Sequence, residues 1–376
     1  MCDTNNKSTL TGKLGRIHMY LNNEGDTWQS AWLNDDRVFA LACDTPGWYG
    51  GAGPNGSNMC INELTGDFHK VDGLDGKTFQ GMTTHPFHFG YWGAMKYDGD
   101  GLRRMWKANS LSYSDGSLYM SVSRHGEMIK KTNYIQDSMN ANIIRSDDYG
   151  ETWSMTEDEC YANPMFPGFS FPLPCFIKYY RDNEPVPCND GEKYPHDSDK
   201  YFYAVSNDGF WNNGTHLYLG RIKRDKMRDM KREDWQYFSG TPGINNEDSW
   251  SHDPTLKMPL ISSPLKIGMP SVQYVWPLKR YVLVNAYYPE PYRESFDTTY
   301  TRFRFYEAPA PYGPWTMFFE SDCKGTGYYT PEILTKSIKS NDDGSCSMIF
   351  LTAGDWVTNS KPDSIYRMTA IELTLI

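Results

Sequence analysis

Residues able to handle sugars recur along this 376-residue chain, each time as a polar side chain beside an aromatic one. Asp26 and Trp28 stand in GDTWQ, Asp44 and Trp48 in CDTPGW, Trp106, Lys107 and Asn109 in MWKAN, and Arg124 and His125 in SRHGE. Asn207, Asp208 and Trp211 follow in SNDGFW, Tyr287 and Tyr288 in NAYYPE, Tyr329 and Glu332 in YYTPE, and Asp355 and Trp356 in TAGDW. A separate segment, HPFHFGYW, supplies His85, His88 and Trp92. Aromatic faces stack on sugar rings, and carboxylates, amides and guanidinium groups hold hydroxyls, so the pattern points to a carbohydrate.

Two reactions break a glycosidic link with such groups. Hydrolysis uses a carboxylate and a carboxylic acid. Asp26, Glu332, Asp208 and Asp44 are the candidate carboxyl groups, with Glu332, Asp208 and Asp44 the candidates for a proton donor whose pKa burial beside an aromatic ring would raise. Elimination next to a uronic acid instead needs a base, His or Tyr, and a cation over the carboxylate. His125, His85 and Tyr287 are the candidate bases there, with Arg124 and Arg145 as cations. Neighbours on a strand point to opposite faces, so Arg124 and His125 share a pocket only if the strand has ended before them. The expected substrate contacts are Trp28, Asp44, His88, Trp92, Lys107, Asn109, Arg124, Arg145, Asn207, Trp211, Tyr288, Tyr329, Asp355 and Trp356. A third reading, a glycan-binding protein without catalysis, needs only the aromatic rim.

Bringing residues this far apart in sequence to one place requires a particular scaffold. With 27 Tyr, 12 Trp, 32 Gly and 23 Pro, the composition favours strands and turns over helices and predicts an all-β protein. Strand-like runs fall into groups of about four, the first being WQSAWL, RVFALAC, SNMCINEL and DFHKVDG. The last group, PEILTKSI, SCSMIFLTA and YRMTAIELTL, is one strand short, and the isolated N-terminal run GRIHMYL can complete it. Radial sheets hide their edges this way, so the sequence predicts a five-bladed β-propeller closed by the N-terminal strand, with a seven-bladed ring as the alternative. Residues 1–14 are expected to form a flexible segment and 15–376 a single propeller domain. Each blade would bring the end of its second strand to one shared rim.

Residues 146–153, SDDYGETW, resemble the Asp box of sialidase-type propellers. The resemblance implies a hairpin between the outer strands of a blade, with Asp148 bonding turn amides, Gly150 at positive φ and Trp153 packed between blades, away from the catalytic face. Over most of the chain, the segments GDTWQSAW, SLYMSVSRH, PMFPGFSF, KYFYAVSNDGFWNNGTHLYLGRIK, RFYEAPAPYGPW and YYTPEIL are similar to secreted or surface microbial propeller enzymes. Those include the five-bladed glycoside hydrolases of the family 43 type and the rhamnosyl-glucuronate and ulvan lyases. The first resemblance implies a general base at the position of Asp26.

A net charge of −10 argues against a nucleic-acid partner, and the expected partner is a poly- or oligosaccharide met by a monomer without a transmembrane segment. The eight cysteines form no CxxC and are expected to be buried thiols. No metal-ligand motif occurs, so no cofactor is required, although a structural cation in the central channel is compatible with the fold. Cys2 suits a surface lipoprotein or secreted protein if a signal once preceded it, and a cytoplasmic location otherwise.

Overall fold

The structure is a computed structural model that describes residues 8–48, 57–78, 96–98, 101–126, 136–187, 193–195, 200–289, 301–322, 328–354 and 367–376. Strand β1 (Gly12–Met19) opens the chain, and the first sheet follows with β2 (Asn23–Asp26), β3 (Ser30–Trp32), β4 (Val38–Trp48), β5 (Ser57–Gly66) and β6 (Leu74–Thr78). The second sheet holds β7 (Lys96–Tyr97), β8 (Arg103–Ser114), β9 (Ser117–Gly126) and β10 (Ser138–Ser146). Its central hairpin turns on Asp115 and Gly116, both at positive φ (51° and 79°), the backbone twist that two-residue hairpins require.

The third sheet starts at β11 (Cys175–Lys178), is interrupted by a small hairpin of β12 (Val186–Pro187) and β13 (Lys193–Tyr194), and continues through β14 (Tyr201–Asn207), β15 (Gly214–Lys223), β16 (Gln236–Phe238), β17 (Trp250–Ser251) and β18 (Ile261–Ile267). The fourth is the meander β19 (Pro270–Val275), β20 (Arg280–Tyr287), β21 (Arg302–Ala308) and β22 (Thr316–Asp322). The last comprises β23 (Glu332–Ile333), β24 (Lys339–Ser340), β25 (Cys346–Ala353) and β26 (Met368–Leu375), and β26 pairs with β1. Antiparallel pairing holds throughout, apart from the parallel contact of β11 with β19 that joins the third and fourth sheets.

The inner strands touch in a cycle. β3 packs on β8, β8 on β11, β11 on β19 and β19 on β23, and Glu332 of β23 returns to Ser30 of β3. Apolar layers follow the same order. Leu41, Trp106 and Met120 fill the space between the first and second sheets, and Ile143, Phe176 and Trp235 that between the second and third. Val205, Leu219 and Leu283 lie between the third and fourth, Phe305, Phe350 and Leu373 between the fourth and last, and Trp28, Trp48, Leu351 and Ala370 between the last and first. A layer between every neighbouring pair, with the last sheet packed on the first, is the radial arrangement of a β-propeller.

The chain ends meet as expected, but β1 begins earlier than the domain boundary read from the sequence. Gly12 and Leu14 pair with Leu375 and Leu373, so residues 12–14 belong to the ring and not to a flexible segment. Without them β26 would present an open edge. Cys43, Cys60, Cys160, Cys175 and Cys346 are buried free thiols; Cys2 lies outside the described residues. Among the described residues, no helix is long and apolar enough to cross a membrane.

The SDDYGETW stretch is a turn following β10. The Ser146 hydroxyl donates to Asp148 Oδ1 (2.7 Å) and accepts from the Gly150 amide (2.7 Å), while Asp148 accepts from the Thr152 amide (2.9 Å) and hydroxyl (2.6 Å). Gly150 has φ +96°, and Trp153 packs against the layer between the first two sheets.

Candidate active site at the seam of the first and last sheets

Asp26 ends β2 opposite Cys43 and is only 5% exposed. Its carboxylate receives one hydroxyl on each oxygen. Thr27 donates to Oδ1 (2.9 Å), and Tyr329, 303 residues away in the last sheet, donates to Oδ2. The strand breaks just after Asp26, where the Gln29 amide reaches back to the Thr27 carbonyl (2.7 Å). Thr27 has φ +71° and Thr330, which follows Tyr329, has φ +48°. These are the β-branched residues at positive φ among the described ones, a conformation such side chains rarely tolerate. Strain of this kind persists where surrounding contacts enforce it, and it gathers at functional sites. Here the enforcing contacts on Tyr329 are the Thr352 hydroxyl (2.8 Å) and the Ala353 amide (3.3 Å), both donating to its carbonyl.

Glu332 is three residues beyond Tyr329 and fully buried. Its Oε1 accepts from the Ser30 amide (3.2 Å) and hydroxyl (3.1 Å) and forms an ion pair with Lys178 of β11. That ties together the first, third and last sheets. The sequence reading overlooks Lys178. Its signal is a single Lys inside the apolar run PCFIKYY, since buried lysines almost always have a charged partner. Among the described residues, no group of three His, Cys, Asp or Glu side chains gathers to hold a metal ion.

Next along the ring, Cys43 Sγ approaches the Ala108 carbonyl at 3.8 Å, which places Lys107 and Asn109 beside the strand that faces Asp26. Both are buried, and the Asn109 Oδ1 accepts from the Ser123 hydroxyl (3.0 Å). His125 shares the Lys107 face of this sheet, bonds the Ser138 hydroxyl through Nδ1 (3.0 Å) and lies 4.4 Å from the Trp211 ring. Burial, then the charges of Lys107 and Arg104, push its pKa down to about 3, so the ring is neutral at ordinary pH. Trp211, Tyr288 and Tyr329 belong to one apolar cluster. Direct contacts link Asp26 with Tyr329 and His125 with Trp211.

Other expected site residues make contacts within their own sheets and turns. Arg124 projects to the opposite face from His125, as strand alternation requires, and donates to Asp98 Oδ1 (3.1 Å) and the Arg104 carbonyl (2.6 Å). Arg104 in turn holds Asp137 by two bonds (3.0 and 2.7 Å) and Asp98 by a third (3.2 Å), a buried network with two charges of each sign. Trp28 is fully buried, bonds the Gly25 carbonyl (3.0 Å) and packs edge to face on Trp48. Asn207 locks its own turn through Gly209 (2.9 Å) and Phe210 (2.7 Å). Asp208 accepts the Thr215 amide on both oxygens (3.1 Å each), and burial raises its pKa against that bond.

Tyr287 faces the outer strands, with Arg304 4.8 Å from its ring. Arg145 pairs with Asp147 (3.2 Å) and sits seven residues along β10 from Ser138, about 23 Å from the His125 end. His85, His88, Trp92, Asp355 and Trp356 lie outside the described residues, as does the side chain of Asp44, whose backbone belongs to β4 beside Cys43.

No family model matches the sequence, and neither does any curated protein. Among solved structures, the chain is similar to a protein of unknown function from Dyadobacter fermentans, with 9% identity, a TM-score of 0.47, and 97% of this chain and 99% of that one covered. It is also similar to a GH43_1 enzyme from Xanthomonas citri complexed with xylose (10%, TM-score 0.46, 94% and 89% covered). An endo-arabinase from Bacteroides thetaiotaomicron matches at 8% identity and a TM-score of 0.43, over 94% and 95% of the chains. Likenesses at this level carry no argument about chemistry, and the fold rests on the strand order above.

Proposed function

We propose that this chain is a carbohydrate-active enzyme that hydrolyses a glycosidic bond, with the five described sheets as its blades and Asp26 as general base. Asp26 takes a proton from a water molecule as that water attacks the anomeric carbon. The C–O bond breaks with its electron pair going to the leaving oxygen, which a second acid protonates. The three candidate donors are Glu332, which is paired with Lys178; Asp208, which is bonded to its own turn; and Asp44 on β4. Tyr288 and Trp211 supply aromatic faces nearby, and Lys107 and Asn109 supply donors for hydroxyls.

The observation that carries this reading is the buried Asp26 carboxylate, held by hydroxyls from two sheets between two strained threonines. Elimination is less well supported, because Arg124 and Tyr287 face away from that carboxylate. The test is digestion of a panel of neutral and acidic glycans with the products weighed by mass spectrometry. Hydrolysis adds one water per cleavage and gives new reducing ends. Products lighter by that water, with the ultraviolet absorbance of an unsaturated uronate, would replace this reading with elimination; binding without any product would replace it with a lectin.

A further inference from the structure

The two hydroxyls on Asp26 differ in what they contribute. Thr27 is the next residue in the chain, whereas Tyr329 arrives from the last sheet, so its bond forms only when the ring is closed. We propose that Tyr329 is a positioning residue for Asp26, in place of the substrate contact expected from the sequence: its hydroxyl fixes Oδ2 and keeps the carboxylate ionised, as a general base must be. This rests on the assignment of Asp26 as the base.

Three features support it. Tyr329 is 7% exposed and belongs to the apolar cluster that holds Tyr288, Trp211 and Ala353, and its carbonyl is pinned by Thr352 and Ala353, which limits the directions open to the hydroxyl. Thr330 holds a left-handed conformation immediately after it, and Thr27 does the same after Asp26, so a β-branched residue is held in that strained conformation at each end of one hydrogen bond. A hydrogen bond to the charged form of an acid lowers the pH at which it protonates. The other charged or titratable groups on elements packed around β2 include Glu24 on β2, Cys43 and Asp44 on β4, Cys346 on β25, Glu372 on β26 and Arg367 just before it, with Lys107 on β8 and the Lys178–Glu332 pair further round the ring. None is altered by Tyr329→Phe.

The experiment is a carbon-13 NMR titration of aspartate-labelled protein, with the Asp26 carboxyl resonance assigned by its absence in Asp26→Asn. In Tyr329→Phe the midpoint of that resonance is expected to rise by about one to two pH units, from the usual strength of a hydrogen bond to a charged group. The acid limb of the rate profile should rise equally, with KM unchanged. An unmoved midpoint in a folded Tyr329→Phe protein overturns the proposal. If that variant does not fold, Tyr329 labelled on the ring carbon bearing oxygen is followed in the wild type instead: its resonance must respond at the pH where Asp26 titrates, and a resonance that does not respond overturns the proposal. Full cleavage activity in Asp26→Asn would refute the base assignment itself, separately from any role of Tyr329.

Discussion

Replacing Lys178 by methionine keeps the length of the stem and removes one charge from the centre of the ring. Glu332, fully buried, would retain only the two Ser30 donors on Oε1. Removing one member of a buried pair is destabilising by about 3–5 kcal/mol, because the remaining charge has neither water nor a counter-ion. The figure belongs to the broken pair and not to the pair's net worth. Lys178→Met combined with Glu332→Gln should therefore recover much of the loss. Urea unfolding followed by tryptophan fluorescence reads both, since Trp28 and Trp106 are buried in the layers on either side of β3. A single variant less than about 1 kcal/mol below wild type, or a double variant no better than the single, would refute the view that a buried ion pair ties the three sheets together.

The depressed pKa of His125 has a definite sign. Its folded value, about 3, lies below the ordinary 6.5, so the unfolded chain binds the extra proton between those limits, and stability is lost as pH falls through that window. His125→Gln should flatten the fall by up to about 1.4 kcal/mol per pH unit, measured as urea midpoints at several pH values. Asp148→Ala removes three acceptor contacts in the SDDYGETW turn and should reduce stability by about 1–2 kcal/mol while leaving glycan cleavage unchanged. Arg124→Met breaks the bond to Asp98 and should reduce stability by about 3–5 kcal/mol, with substrate KM in the surviving folded protein unaltered.

Most strands of each group, the missing last strand and its N-terminal replacement were legible because hydrophobic alternation and turn residues act locally, whereas DFHKVDG forms a turn and the strand expected there is β6, from Leu74 to Thr78. The SDDYGETW turn was legible for the same reason, as the bonds among Ser146, Asp148, Gly150 and Thr152 that shape it fall within a few residues. Which face a side chain takes was only partly so. The Arg124 and His125 neighbours had to diverge, yet nothing local distinguishes Trp28, packed in the core, from Trp211, packed on His125. Contacts across the seam were hidden altogether. Tyr329 meets Asp26 and Lys178 meets Glu332 through ring closure, a global property that no sequence window contains.

The most direct test of the account is the turnover of Asp26→Asn on whichever glycan the wild-type protein cleaves, with glycan binding measured on the same preparation. Asparagine preserves the size of the side chain and can still accept a hydroxyl, but cannot take up a proton from water. The account predicts that turnover falls by at least about a hundredfold while binding stays within a few-fold of wild type. Cleavage at an undiminished rate would contradict it.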